Sequence, residues 1–334
     1  MRIAFLVNDV GTEKAIYTTT LLARTAAQRG HDVHYLDLVG LSVQPGGEVL
    51  ARTRRAPGPG CDLVEFLASV QQTPPRTVDV GELDVLMIRS EPSFELETRA
   101  WAQPISWQFG ELARLRGVLV LSDPRGLALA GPDKYYSLKF PSRLRPATLV
   151  TRDLEAVRTF AADREHGMVL KPLHGGAGES VFWVRPDDPN LAQVFAAVAR
   201  RGYVIAQDYL PAISEGTIRL FMLAGEPLRV DGRVAALHHL QRGSDIRTNY
   251  AVAATVVRAE VGDDTLTAAA AVGEILAEDG MFLVGLDLVG DQILEANLHS
   301  PGGLPGAQRT CRVDFAAGVV DAMVARRQTT TGRI

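Results

Sequence analysis

The segment GLDLVGDQILEANLHSPGG, residues 285–303, constrains this chain more than any other. It reads as a β-hairpin. Yet Asp287, Glu295 and Asn297 stand among Leu286, Leu288, Ile293 and Leu298. A buried carboxylate is costly unless it is paired or bound to a metal. Side chains alternate along a strand, so Glu295 and Asn297 share one face, while Leu294, Ala296 and Leu298 take the other. The place of Asp287 depends on the turn. A three-residue loop, Gly290-Asp291-Gln292, sets Asp287 opposite Glu295; a two-residue loop sets it opposite Leu294. In the first register two acids face each other, which is unfavourable without a cation between them. Hard oxygen ligands of this kind suit Mg²⁺ held jointly with substrate phosphates. Two solvated acids on an exposed face are the alternative.

The rest of the chain frames that hairpin. RIAFLV (2–7) predicts a strand, residues 15–29 a helix stopped by Gly30, and DVHYLDL (32–38) a second strand. This β-α-β pattern predicts a parallel sheet with right-handed crossovers. Residues 51–61 read as a polar loop, 84–90 as a strand, 95–116 as a helix begun or kinked at Pro104, and 118–124 as a strand. The texture changes near residue 131. A helix is expected at 131–140, opened by Pro132 and Asp133, then a strand at 147–151 and a helix at 153–163. Strand, Gly-rich loop and strand follow over 168–184, with a helix at 190–201 and a strand at 203–212. Strands are expected at 217–224, 227–235, 251–258 and 282–298, and helices near 264–279 and 312–326. The division is 1–130, 131–209 and 210–330: an N-terminal parallel-sheet domain, then a two-lobed α+β unit.

Composition narrows the function. The net charge is −4, which supplies no basic field for nucleic acid. No run has the length of a membrane span, and MRIAFLVNDV has no signal-peptide pattern. Two cysteines, Cys61 and Cys311, form no metal-spaced motif, so a reduced, cytoplasmic protein is expected.

LKPLHGGAGESVF holds Gly175, Gly176 and Gly178 between two strands. Glycines let backbone N–H groups wrap phosphate oxygens. No GK[ST] follows, and a strand stands where a dinucleotide fold needs a helix. A plain hairpin turn is the alternative. Lys171 precedes the loop in an apolar strand and calls for an anionic partner. Lys134 sits near a helix start, a phosphate-favouring place, although alone it reads as a solvated surface lysine. AQDYLP (206–211) joins two lobes, where backbone groups can read a base and Asp208 a ribose; an ordinary linker is the alternative.

In this order the pieces resemble an ATP-grasp enzyme, and within that superfamily the bacterial glutathione synthetases. ATLVTRDLEAVRTF, LKPLHGGAGESVF, AQDYLPAISEGTIRLFMLAGEP and FLVGLDLVGDQILEANLHSP carry the resemblance, with MIRSEPSFELE (87–97) in the N-terminal part. The resemblance implies an N-terminal pre-ATP-grasp substrate domain, then a small lobe and a large lobe with the metal site. It implies that Lys134 and Lys171 contact ATP phosphates beneath the 174–179 loop. Gln207, Asp208, Tyr209 and Leu210 then line the nucleoside site. Asp287, Glu295 and Asn297 hold two Mg²⁺ ions, with Mn²⁺ as a substitute. Arg219 and Arg247, with Asn249, stand near the γ-phosphate and acyl phosphate, and a structural salt bridge is the alternative for each arginine. Arg89, Ser300, Pro301, Gly302 and Gly303 fall on the substrate side. The implied reaction joins a small-molecule carboxylate to an amine through an acyl phosphate, in a cytoplasmic homo-oligomer.

The chain also departs from that family. The family motif Arg-Lys-Asp-Pro-Pro-Phe-Asp stands here as Arg89-Ser90-Glu91-Pro92-Ser93-Phe94-Glu95. The lost cation should weaken or relocate recognition of a substrate carboxylate. An expected ribose-binding acid is Thr217, leaving Asp208 or Glu215. After Ser300-Pro301 the family segment ends in Glu, where this chain has Gln308 and Arg309. An amide-forming ligase for other amino-acid-like substrates, a phosphotransferase and a non-catalytic nucleotide-binding regulator are the competing readings.

Overall fold

Ile3, Ala4, Phe5, Leu6 and Val7 are all fully buried, as a strand covered on both faces requires. In the computed structural model, which describes residues 1–131, 133–175, 178–240 and 255–331, that strand, Arg2–Val7, lies inside a six-stranded sheet. Asp32–Val43, Val85–Ile88 and Leu119–Leu121 extend it in parallel. Val49–Arg55 and Arg76–Asp79 add an antiparallel edge. The first of these lies partly in the segment read as a polar loop. Its inward Ala51 and Thr53 alternate with outward Arg52 and Arg54, so the arginines disguised a strand.

The helix Thr18–Gln28 crosses one face and stops as Gly30 predicts. Gly30 has φ 80°, and the Gly30 and His31 N–H groups donate to the carbonyls of Ala27 and Ala26, a Schellman pair. The long helix expected at 95–116 is instead two 3₁₀ turns, Pro92–Glu95 and Ala100–Ala102, and a helix Ile105–Leu115. Pro104, without an N–H, begins that helix. Helices Leu63–Gln72, opened by an Asp62–Glu65 capping box, and Pro124–Ala130 were not expected.

A four-stranded antiparallel sheet follows, ordered Thr148–Thr151, Val204–Asp208, Met168–Pro172, Phe182–Val184. Helices Leu154–Ala162 and Leu191–Ala199 cover it around Val157, Leu170, Phe195 and Ala206. The helix expected at 131–140 is a short turn, Asp133–Tyr136, tightening to 3₁₀ at Ser137–Lys139 before Pro141. Pro132 lies outside the described residues.

The third sheet runs Thr255–Arg258, Ala236–Leu240, Thr217–Leu223, Leu283–Val289, Gln292–Asn297, with Glu226–Pro227 beside Thr217–Leu223. The strand expected over 227–235 is a small hairpin, Arg229–Val230 with Arg233–Val234. Asp231 and Gly232 both have positive φ, 50° and 73°, the mirror-turn geometry that an Asp-Gly pair favours. The helix expected at 312–326 begins at Phe315, after Leu304–Cys311 and a left-handed Arg312. The Phe315–Thr331 helix buries Phe315, Val319 and Val320 in one core with Phe5, Leu22 and Phe66. The N-terminal sheet and the third sheet are thereby locked together, and a shared cavity opens between them. Among the described residues no helix is long and apolar enough to cross a membrane.

Candidate active site

Asp287 does lie opposite Glu295, but not by the expected route. The turn has two residues, Gly290 and Asp291, so Val289 pairs with Gln292 and Leu288 with Ile293. A bulge at Leu294 then shifts the register by one and brings Glu295 across from Asp287. Gly290, at φ 61°, supplies the left-handed corner. The bulge also corrects the facing of Leu294: it lines the cavity beside Glu295 and Asn297, while Ile293, Ala296 and Leu298 enter the core.

Arg219, on the adjacent strand, grips Asp287 with two N–H groups; its Nη2 lies 2.7 Å from Oδ2, and its Nε meets Oδ1. Its Nη1 donates to the Gly302 carbonyl at 3.2 Å. Asn297 Nδ2 donates to Asp287 Oδ2 and to the Gly285 carbonyl, each at 3.2 Å. Glu295 makes no hydrogen bond or ion pair among the described residues.

Two buried lysines close the other side. Lys171 is 8% exposed, and its Nζ donates to Gln207 Oε1 at 3.0 Å. Gln207 in turn donates to Thr148 Oγ1 at 3.2 Å, tying three strands together. Burial lowers the Lys171 pKa, and the charges of Glu295 and Asp287 oppose that shift. Lys134 is no surface lysine: at 8% exposure it donates to the Pro172 carbonyl at 3.1 Å. Gly175 and Gly178 stand at φ 122° and 72° on the cavity wall. Tyr209 and Leu210 line the same wall, and Tyr209 stacks on Trp183 with ring centroids 4.5 Å apart. Asp208 reaches the cavity while pairing with Arg164 at 3.4 Å. Gly176, Arg247 and Asn249 lie outside the described residues.

The N-terminal domain supplies the facing wall. Arg89 is 3% exposed; its Nε donates to Thr19 Oγ1 at 3.2 Å and its Nη2 to the Pro301 carbonyl at 3.0 Å. Burial pushes its pKa down to about 10, against the opposing charges of Glu13 and Glu91. Ser300, Gly302 and Gly303 line the cavity next to it. Ser90, which stands where a lysine was expected, is buried and does not line the cavity. Gln308 is likewise turned away: its Oε1 accepts from the Ala316 N–H at 3.2 Å and holds the start of the last helix. Sequence reasoning missed Glu13, Leu294, Trp107, His239 and His299, all on the wall. The whole space measures about 850 Å³, ample for a nucleotide and a second substrate.

Buried lysines under a Gly-rich turn, facing acids on a hairpin across a cleft between two α/β lobes, define an ATP-grasp enzyme. The model of the ATP-grasp domain of prokaryotic glutathione synthetase matches residues 133–311, and that of its N-terminal domain matches residues 1–127. The glutathione synthetase of Escherichia coli O127:H6 is 30% identical over 313 residues, covering 91% of each chain. In fold, the chain is similar to the D-cycloserine synthetase DcsG, with a TM-score of 0.63 at 19% identity over 97% of this chain and 99% of that one. It is also similar to the ATP-grasp ligase PsnB, solved with a precursor variant, Mg and ADP: TM-score 0.60, 18% identity, covering 97% and 98%. The chain belongs to the prokaryotic glutathione synthetase family and is an ATP-grasp ligase of that type.

Proposed function

We propose that the enzyme joins the carboxylate of an amino-acid-like or γ-glutamyl substrate to an amine, through an acyl phosphate. A carboxylate oxygen attacks the γ-phosphorus of ATP and ADP leaves. The amine then attacks the acyl carbon, and phosphate leaves as the amide forms. What supports this reading is one cavity that presents Lys171, Arg219 and the Asp287–Glu295–Asn297 face on one side and Arg89 on the other.

In this reading Lys134 and Lys171 balance phosphate charge, and the N–H groups around Gly175 and Gly178 cradle the oxygens. Gln207, Tyr209 and Leu210 hold the base, and Asp208 the ribose. Arg219 stabilises charge that develops on the transferred group, the kind of contribution that dominates such chemistry. Arg89 and the 300–303 turn orient the acid.

The donor set fits magnesium. Asp287 and Glu295 face each other, Asn297 shares their side, and Glu295 has no protein partner among the described residues. Bound there with ATP, Mg²⁺ ions, two in this proposal, supply charge neutralisation of the phosphates. Arg219 holds Asp287 in position meanwhile, which keeps the acid face preformed.

A ligase for a pair other than γ-glutamylcysteine and glycine is the second reading. The burial of Ser90 away from the cavity and the capping role of Gln308 favour it, because both stand where the family places substrate contacts. A reduced cytoplasmic setting accords with the free thiols of Cys61 and Cys311, and a homo-oligomer is proposed from the family resemblance.

The test is ADP and phosphate release from Mg-ATP with γ-glutamylcysteine and glycine, then with pools of amino acids and dipeptides. Amine-dependent release with a new amide is expected. A phosphorylated product without an amide overturns ligation in favour of phosphoryl transfer.

A further inference from the structure

Arg201 stands where two parts of the chain meet. It follows the Leu191–Ala199 helix, and its N–H donates to the Val198 carbonyl at 3.1 Å. Its Nη2 donates to Glu179 Oε1 at 2.6 Å and to Glu97 Oε1 at 2.9 Å. Glu179 follows Gly178 in the Gly-rich segment that links the strands Met168–Pro172 and Phe182–Val184. Glu97 belongs to the N-terminal domain, between the turns Pro92–Glu95 and Ala100–Ala102. Among the described residues, this is the one hydrogen bond between the N-terminal domain and residues 148–208. The guanidinium also backs the Gly-rich turn: a Cβ on Gly175 would stand 3.7 Å from Arg201 Nη1.

Both carboxylates reach the same nitrogen, so two negative groups from separate domains stand side by side. Such groups repel unless a cation lies between them. Arg201 is therefore what lets the turn and the N-terminal domain approach each other. Its side chain is 24% exposed, that of Glu97 72% and that of Glu179 62%. Exposed pairs are weak and screened by salt, so this contact breaks and re-forms readily. The Glu97 segment is itself anchored, because Glu95 accepts from Asn8 Nδ2 at 2.6 Å and from Arg99 Nε at 2.7 Å. A pull on Glu97 is thus borne by the domain.

We propose that Arg201 is a latch that closes the small lobe over the cavity, clasping Glu179 and Glu97 at once and so positioning the Gly-rich turn against the N-terminal domain. Arg201 is a positioning residue, since neither it nor its two partners line the cavity. The latch goes beyond the ligase reading and rests only on its nucleotide part, the turn as a phosphate cradle. The lobe opens to admit nucleotide and release ADP, and the latch holds it shut between those steps.

The test titrates Mg-ADP by calorimetry into the full chain. Arg201→Gln should weaken binding about 10-fold at low salt, because two weak attractions are lost and the two acids then repel. Arg201→Lys keeps the charge and should restore affinity to within about 3-fold of the wild type. Glu97→Gln leaves the Arg201–Glu179 contact in place and should still weaken binding about 3-fold. At ~0.5 M NaCl the wild type and Arg201→Gln should converge to within about 2-fold. Wild-type affinity in Glu97→Gln means that Arg201 only braces its own turn, and it overturns the latch. A gap between the wild type and Arg201→Gln that survives high salt overturns it too. Glu97→Gln carries the test if Arg201→Gln does not fold. Hydrogen exchange over residues 178–184 without ligand is followed in parallel, and should be faster in Glu97→Gln than in the wild type. That result without Mg-ADP binding by the wild type keeps the latch and overturns the nucleotide reading. Equal exchange in the two chains overturns the latch.

Discussion

Glu13→Gln should stabilise the protein, and only at neutral to alkaline pH. The carboxyl is held at about 7 in the folded chain against an ordinary 4.5, chiefly because burial penalises the charge. The folded pKa of this acid is raised, so the unfolded chain releases its proton first as pH climbs. Stability is undiminished below about 4.5, falls between about 4.5 and 7, and stays reduced above. A gap of about 2.5 pH units at ~1.36 kcal/mol each makes the ionised group cost the fold about 3 kcal/mol at pH 8.5. That is a large share of the stability of an ordinary domain. Glutamine stands in for the neutral acid, so the variant should exceed wild type by about 3 kcal/mol at pH 8.5 and by almost nothing at pH 4.5. Arg89 stays charged across this window, since its own pKa lies at about 10. The assay is urea unfolding of both chains without ligand at the two pH values. An equal difference at both, or a wild type that gains stability from pH 4.5 to 8.5 relative to the variant, refutes the reasoning.

Asp287→Asn should lower kcat at least ~100-fold, by removing charge where phosphate chemistry occurs, and should also lower the melting temperature, because the largely buried Arg219 loses its carboxylate partner; steady-state rates over a Mg²⁺ titration and a thermal melt check this. Lys171→Met should raise the KM for ATP at least ~10-fold while leaving the fold intact or firmer, because a buried cation is exchanged for an apolar chain of similar length; ATP saturation curves and thermal melts separate the two effects. Gly126→Ala should destabilise by ~2 kcal/mol or more, since a Cβ there would sit 1.8 Å from the Asp279 carbonyl oxygen, where the N-terminal domain meets the third sheet; a melting curve reads it.

Much of this was legible because it depends on short-range pattern. The apolar run of residues 3–7, the Gly30 stop and the placing of Lys171 in an apolar strand follow from neighbours in sequence. The acid pair is legible too, although a bulge rather than a three-residue turn brings it about. Ile293 and Ala296, three apart and both buried, already break the alternation that put Leu294 in the core. That spacing signals a bulge. Asp231-Gly232 is a mirror-turn signal inside an apolar stretch that otherwise reads as one continuous strand. Lys134 could not be read from its surroundings, because the Pro172 carbonyl that buries it comes from 38 residues further along the chain. Glu13 and Arg89 are 76 positions apart, and only the folded sheet brings their charges to one wall. Local periodicity carries no information about such a meeting.

The central claim is that a substrate carboxylate is activated as an acyl phosphate before the amine attacks. The most direct measurement uses an acid substrate labelled with ¹⁸O in the reacting carboxylate, with Mg-ATP and amine, and mass analysis of the inorganic phosphate released. Transfer of one ¹⁸O atom from each carboxylate to phosphate is expected. Unlabelled phosphate formed alongside the amide would contradict the mechanism.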